Sequence, residues 1–174
     1  TIYDSHRDRL VVFGGAYNNG TLGFLNDVWQ LTLSGTPAWS LLPANGTPPH
    51  VRDSQSAIYD QLRDRMIVFG GYFSTSGFNW LNDTWALDFT TSPATWAQLA
   101  PTGALPSPRS LVSMIYDAPH DELVVFGGSY GNVVYGDAYA CTAGGAGVWR
   151  QLFPSGPAPA GRAAAACTFD SHRD

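Results

Sequence analysis

The chain has 174 residues and a formal net charge of −5, and its nine basic residues are all arginine. An acidic balance without a basic run argues against a nucleic-acid partner, because such partners are held by Lys and Arg against phosphate. No apolar stretch approaches the roughly 18–20 residues of a membrane-spanning helix, so helical membrane insertion is not expected.

The chain repeats itself. YDSHRDRLVVFGG (Tyr3 to Gly15) returns as YDQLRDRMIVFGG (Tyr59 to Gly71) and YDAPHDELVVFGG (Tyr116 to Gly128), and FDSHRD closes the sequence from Phe169 to Asp174. Gly14 and Gly70 are 56 residues apart, Gly70 and Gly127 57. Trp39, Trp96 and Trp149 keep step with them, as do Arg52, Arg109 and Arg162. Independent markers moving together define a structural unit, and a period of this size belongs to a stacked or ring-shaped repeat architecture.

Four short strands are expected per unit. The first is clearest from Arg109 to Tyr116, and a polar turn, Asp117 to Asp121, follows it. The second (Leu10 to Phe13, Met66 to Phe69, Leu123 to Phe126) is apolar without alternation, as in a strand buried on both faces. The diglycine after it is expected to end the strand, where φ is positive or a Cβ would not fit. The third alternates: Trp85, Leu87 and Phe89 share one face, Thr84, Ala86 and Asp88 the other, and Trp29, Leu31 and Leu33 repeat the pattern. The fourth carries Trp39 with Leu42, Trp96 with Leu99 and Trp149 with Leu152, and is expected at the outer edge. Pro- and Gly-rich turn segments (PANGTPPH, PTGALPSP, PSGPAPAG) link the units.

This pattern resembles the kelch repeat. Gly14-Gly15, Gly70-Gly71 and Gly127-Gly128 are similar to its diglycine, and Trp29, Trp85 and Tyr139 to its third-strand aromatic. Trp39, Trp96 and Trp149 are similar to its fourth-strand tryptophan, and Arg52, Arg109 and Arg162 to the arginine that opens the next repeat. The resemblance covers the whole chain. It implies an all-β fold, a β-propeller fragment of about three four-stranded antiparallel blades. Residues 1–51 would form a first blade lacking most of its inner strand, 52–108 and 109–161 complete blades, and 162–174 the inner strand of a further one. Propellers close with about four to eight blades. An end face exposing about 400 Å² of apolar surface would forfeit on the order of 10 kcal/mol at about 25 cal/mol per Å². Closure is therefore expected from further blades of the same chain or from self-association.

No catalytic constellation is expected. His6, His120 and His172 fall in equivalent turns spread around a ring, and His50 lies in a connector on the opposite face, so neither a metal nor a cofactor is implied. The Asp pairs of those turns (Asp4 with Asp8, Asp60 with Asp64, Asp117 with Asp121) recur in every unit, which points to turn capping rather than acid–base work. Cys141 and Cys167 replace core residues of other units, and two buried free thiols are expected. The segments after the second strand are long, variable and aromatic, a mix suited to recognition. Tyr17, Phe24, Tyr72, Phe78, Trp80, Tyr130 and Tyr135 are the ligand-binding candidates there. Arg52, Arg109 and Arg162 open at the same face. They are candidates too, with pairing to Asp27, Asp83 or Asp137 as the structural alternative. The expected function is a non-catalytic module binding a protein or glycan, in an extracellular or cell-surface setting. The alternative is the propeller portion of a galactose-oxidase-like or other carbohydrate-active enzyme, with its catalytic groups elsewhere.

Overall fold

A computed structural model describes residues 1–75 and 77–170; His172 lies outside them. The described residues form strands and no helix. The first blade is an antiparallel sheet of β1 (Ile2–Asp4), β2 (Arg9–Asn18), β3 (Leu22–Thr32) and β4 (Ala38–Leu41) in sequence order. A short β5 (Ala44–Asn45) leads on to the second blade, β6 (Ser56–Asp60), β7 (Arg65–Ser74), β8 (Phe78–Asp88) and β9 (Ala94–Leu99). After β10 (Thr102–Gly103) comes the third, β11 (Ser113–Asp117), β12 (Glu122–Phe126), a separate small hairpin β13 (Ser129–Tyr130) and β14 (Val133–Val134), then β15 (Ala138–Thr142) and β16 (Val148–Leu152). The inner strands β1, β6 and β11 lie side by side, as blades around an axis require.

The second strands carry the core. Met66, Ile67, Val68 and Phe69 are all buried completely, because the face of β7 away from one neighbouring blade meets the other. Blade packs on blade through one recurring aromatic pair. Phe13 meets Trp96 with ring centroids 4.8 Å apart, and Phe69 meets Trp149 at 5.2 Å. Trp96 is 4% exposed and Trp149 1%, whereas Trp39, the equivalent residue of the first blade, is 56% exposed. Phe126 of the third blade is only half-buried. Each end of the stack thus shows one half of the contact that welds its interior.

Two further ties were not foreseen. The first two connectors each add a two-residue parallel strand to the outer edge of the next blade, β5 on β9 and β10 on β16, so these two fourth strands are covered while β4 is an edge. At the opposite end, Arg7 of the first blade forks Asp64 of the second with two hydrogen bonds of 2.7 Å, and Arg63 forks Asp121 of the third. The turn aspartates therefore divide their labour. Asp4, Asp60 and Asp117 accept backbone N–H bonds within their own turns, while Asp64 and Asp121 take the arginine of the preceding blade. The Arg7 bonds hold the Asp64 carboxyl down at about 2, against the cost of its burial. Stability from this pair is present above the unfolded carboxylate range near pH ~4 and is lost as pH falls toward about 2. Melting temperature measured across that interval should fall less steeply for Asp64→Asn than for the wild-type chain; parallel curves would show that the pair contributes nothing.

In the first two blades the diglycine does not end the second strand, whereas β12 stops at Phe126, just before Gly127-Gly128, as expected. β2 and β7 run on past it, with a register shift between Phe13 and Gly15 and between Phe69 and Gly71. The glycines make a bulge that redirects the hairpin, and its arms, expected as loops, are paired strands. Gly70 has φ +65°, and a Cβ there would lie 2.7 Å from the carbonyl oxygen of Arg109. Backbone of the next blade approaches so closely that only glycine fits.

Arg162 to Phe169, expected as a further inner strand, has no strand partner among the described residues. Cys167 is accordingly exposed, a correction to the expectation of burial, and its Sγ donates to the Met114 carbonyl. Cys141 is buried, and desolvation pushes its thiol up to about 11. Neither is disulfide-bonded.

Candidate functional site

Arg52 and Arg109, ligand candidates from their position, are both 0% exposed. Each holds its own blade together. Arg52 donates to Asp83 through Nη1 at 2.6 Å and Nη2 at 2.8 Å, and to the carbonyl of Gly70. Arg109 repeats this with Asp137 and Gly127, and its guanidinium lies over the Tyr135 ring, 4.2 Å from the centroid. The backbone at the same residue clamps the preceding blade. Arg109 N donates to Leu81 O, and Gly71 N donates to Arg109 O. Burial and the bonds to Asp83 and Asp137 make Arg52 and Arg109 structural, while the half-buried Tyr135 ring is taken up by the Arg109 guanidinium. Arg162 makes the same backbone contacts to the third blade, but its guanidinium is exposed, and Nε donates to Ala160 O.

The aromatic candidates converge. Phe24 of the first blade stands edge-on to Tyr72 at 5.8 Å, and Tyr72 meets Trp80 at 5.4 Å and Phe78 at 6.1 Å. Trp80 then reaches Tyr130 of the third blade at 4.6 Å. Five of the seven aromatics thus form one band across three blades, and Phe78 at its crest is 73% exposed. The hairpin pairing explains the alignment. Tyr72 faces Trp80 across β7 and β8, and directly opposed residues of an antiparallel pair project to the same side. Tyr17 stands apart, its ring folded over its own cross-strand partner Gly23.

Below the band is a cleft of about 590 Å³ between the second and third blades, lined by Asp53, Tyr72, Phe78, Trp80, Leu111 and Ser129 among others. Asp53 was not foreseen as a site residue. It exchanges backbone hydrogen bonds of 2.9 Å with Tyr72, so Asp53, Tyr72 and Trp80 form one cross-strand row. Its Oδ1 is buried without a hydrogen-bond partner. Desolvation raises its carboxyl above the ordinary value, and a bond from Ser54 offsets part of the rise. The signal was present in the sequence: the residue after Arg52 is Asp, whereas Ser110 and Ala163 follow the other two arginines. A residue that breaks the repeat is free of the repeat's structural duties. Ser54 and Leu111, at the inner rim, have φ of 53° and 55°, and Leu111 N donates to Ser54 O across the blade boundary. Ala164, at the equivalent place of the next unit, has φ of 55° and donates to Leu111 O in turn, so this conformation belongs to the repeat.

The three described histidines do not gather. His6 lies edge-on to Tyr59 in the turn region, His120 contacts Asp117, and His50 stacks on Phe73 at 4.0 Å. Among the described residues there is no group of three or more His, Cys, Asp or Glu placed to hold a metal.

Comparison with known proteins agrees with this geometry. The sequence profile of the KLHDC2/KLHL20/DRC7 Kelch-repeats domain matches residues 1–173. Adagio protein 3 of Arabidopsis thaliana is 39% identical over 99 residues, 56% of this chain and 15% of that protein. Dynein regulatory complex subunit 7 of Chlamydomonas reinhardtii is 31% identical over 119 residues, 68% of this chain and 10% of its own length. The chain therefore spans a small part of these relatives. The solved structure of YjhT superposes with a TM-score of 0.67 at 15% identity, over 90% of this chain and 51% of that one, and shows the same fold. A profile that runs nearly end to end, on blades welded by diglycine, arginine and tryptophan at fixed places, leaves one conclusion: the chain belongs to the kelch-repeat family.

Proposed function

We propose that this chain is a non-catalytic binding or scaffold module that engages a protein partner through the aromatic band on its hairpin face. The observation that carries this is the convergence of Phe24, Tyr72, Phe78, Trp80 and Tyr130 from three blades into one partly exposed surface. Rigid aromatics over a cleft supply contact area at low entropic cost, and such residues anchor protein interfaces. A relative named as a subunit of a dynein regulatory complex fits a role in assembly. The end faces, with Trp39 on one and Phe126 on the other, are read as interfaces to further blades, from the same chain or a second copy.

A peptide-display selection against the chain, run beside a glycan panel, tests the reading. Selected peptides should lose about 2 kcal/mol, roughly thirtyfold in affinity, on Trp80→Ala. They should be unaffected by Leu62→Ala in the exposed turn at the opposite end. Peptides indifferent to Trp80, or binding by glycans alone, would remove the reading.

A further inference from the structure

We propose that the cleft between the second and third blades receives a cationic side chain of the partner, a guanidinium or ammonium group, held by Asp53 against the rings of Tyr72 and Trp80. This rests on the protein-binding reading above and specifies its chemistry.

Three observations meet at this place. The first is the row itself. Backbone pairing sets Asp53 opposite Tyr72 and Tyr72 opposite Trp80, so a carboxylate and two aromatic rings project to one side, with Phe78 leaning on both rings. A cation over an indole or phenol face is attracted by the ring quadrupole, and more strongly where water is displaced. A carboxylate at the end of the same row supplies the counter-charge.

The second is charge that the protein leaves uncompensated. Every arginine near the cleft is committed elsewhere: Arg52, next to Asp53 in sequence, forks Asp83, and Arg109 forks Asp137. The residues lining the cleft include no basic side chain. Asp53 Oδ1 is buried and has no partner, and a buried polar atom without one costs stability unless a ligand or solvent supplies it. Burial lifts the Asp53 carboxyl above its usual range, as expected of an acid that lacks a basic neighbour.

The third is that Asp53 does not belong to the repeat. The equivalent bridge in the third blade joins Ser110 to Ser129, which can carry the fold without any charge. The carboxylate is therefore surplus to blade construction, in contrast to Asp60, Asp64, Asp83, Asp121 and Asp137, each of which pairs with an arginine of the chain.

The test uses acetyl-Gly-Arg-Gly-amide and its citrulline counterpart, which keeps the shape and removes the charge, with binding followed by the backbone amide resonance of Ser129, a cleft residue unchanged in every variant. The wild-type chain should bind the arginine peptide at least tenfold more tightly than the citrulline peptide. Asp53→Asn should abolish that preference, and Trp80→Ala should weaken arginine binding about tenfold. Equal binding of the two peptides by the wild-type chain, no binding of either, or an undiminished preference in Asp53→Asn would overturn the proposal. The wild-type comparison needs no variant, so a folding defect cannot obscure the result. Display-selected peptides separate this inference from the reading beneath it. Peptides sensitive to Trp80→Ala but indifferent to Asp53→Asn would overturn the cation site and leave the protein-binding face standing, whereas indifference to both would overturn the two together.

Discussion

Replacing Trp149 with alanine should destabilise the chain by about 3–5 kcal/mol in urea unfolding, while the same change at Trp39 should cost less than about 1 kcal/mol. The two tryptophans hold the same place in the repeat, so sequence alone predicts equal losses. Their surroundings differ. Trp149 fills the space against Phe69 of the preceding blade and is closed off from solvent, so its removal opens a cavity that neighbouring strands cannot collapse to fill. Trp39 has no preceding blade in this sequence and stands more than half exposed. The unpaired Nε1 of Trp149 works in the other direction, since its deletion also removes a buried donor without an acceptor. Trp96→Ala, with the ring packed on Phe13, provides a second measure of the same contact. Should Trp39→Ala prove as costly as Trp149→Ala, Trp39 must be covered in solution. Sedimentation of the two proteins would then show whether a second copy covers it, because the variant would lose the associated species.

The second large effect is expected at Arg109. Truncation to alanine leaves the Asp137 carboxylate and the carbonyls of Gly127 and Ser107 without their donor. Removing one partner of a buried ion pair costs about 3–5 kcal/mol, because the remaining charge stays desolvated. Lysine should not rescue it. A single ammonium cannot fork two carboxylate oxygens and also reach the Gly127 carbonyl in the fixed geometry of a guanidinium. Arg162→Ala, at the equivalent but exposed place, should change stability by no more than about 0.5 kcal/mol. Equally small losses at Arg109 and Arg162 would mean that the Asp137 fork contributes little, and that the backbone contacts repeated at each of these arginines carry the joint. Peptide binding by Arg109→Ala, measured where the variant remains folded, should be unchanged, since the guanidinium never reaches the surface.

The repeat was legible from its wording, and so were the blade and the four-strand order, because buried strands must be apolar on both faces and a bulge that meets a neighbour's backbone must be glycine. The aromatic content of the hairpins was legible as well. What could not be read was which copies meet. Arg7 and Asp64 are 57 residues apart, as are many pairs in a periodic chain, and only the stacking of one turn against the next selects that pair. The arginines that open each repeat could be read both ways, as ligand contacts or as partners of the third-strand aspartates, and the burial of Arg52 and Arg109 against Asp83 and Asp137 selects the pairing. Asp53 presents the opposite case, a residue ordinary in type whose meaning comes from the partner strand that aligns it with Tyr72 and Trp80. Composition and period determined the blade, since they record which faces must avoid water. The neighbours of each side chain were decided by the packing of one blade on the next, because identical copies acquire different surroundings only once they are placed in space.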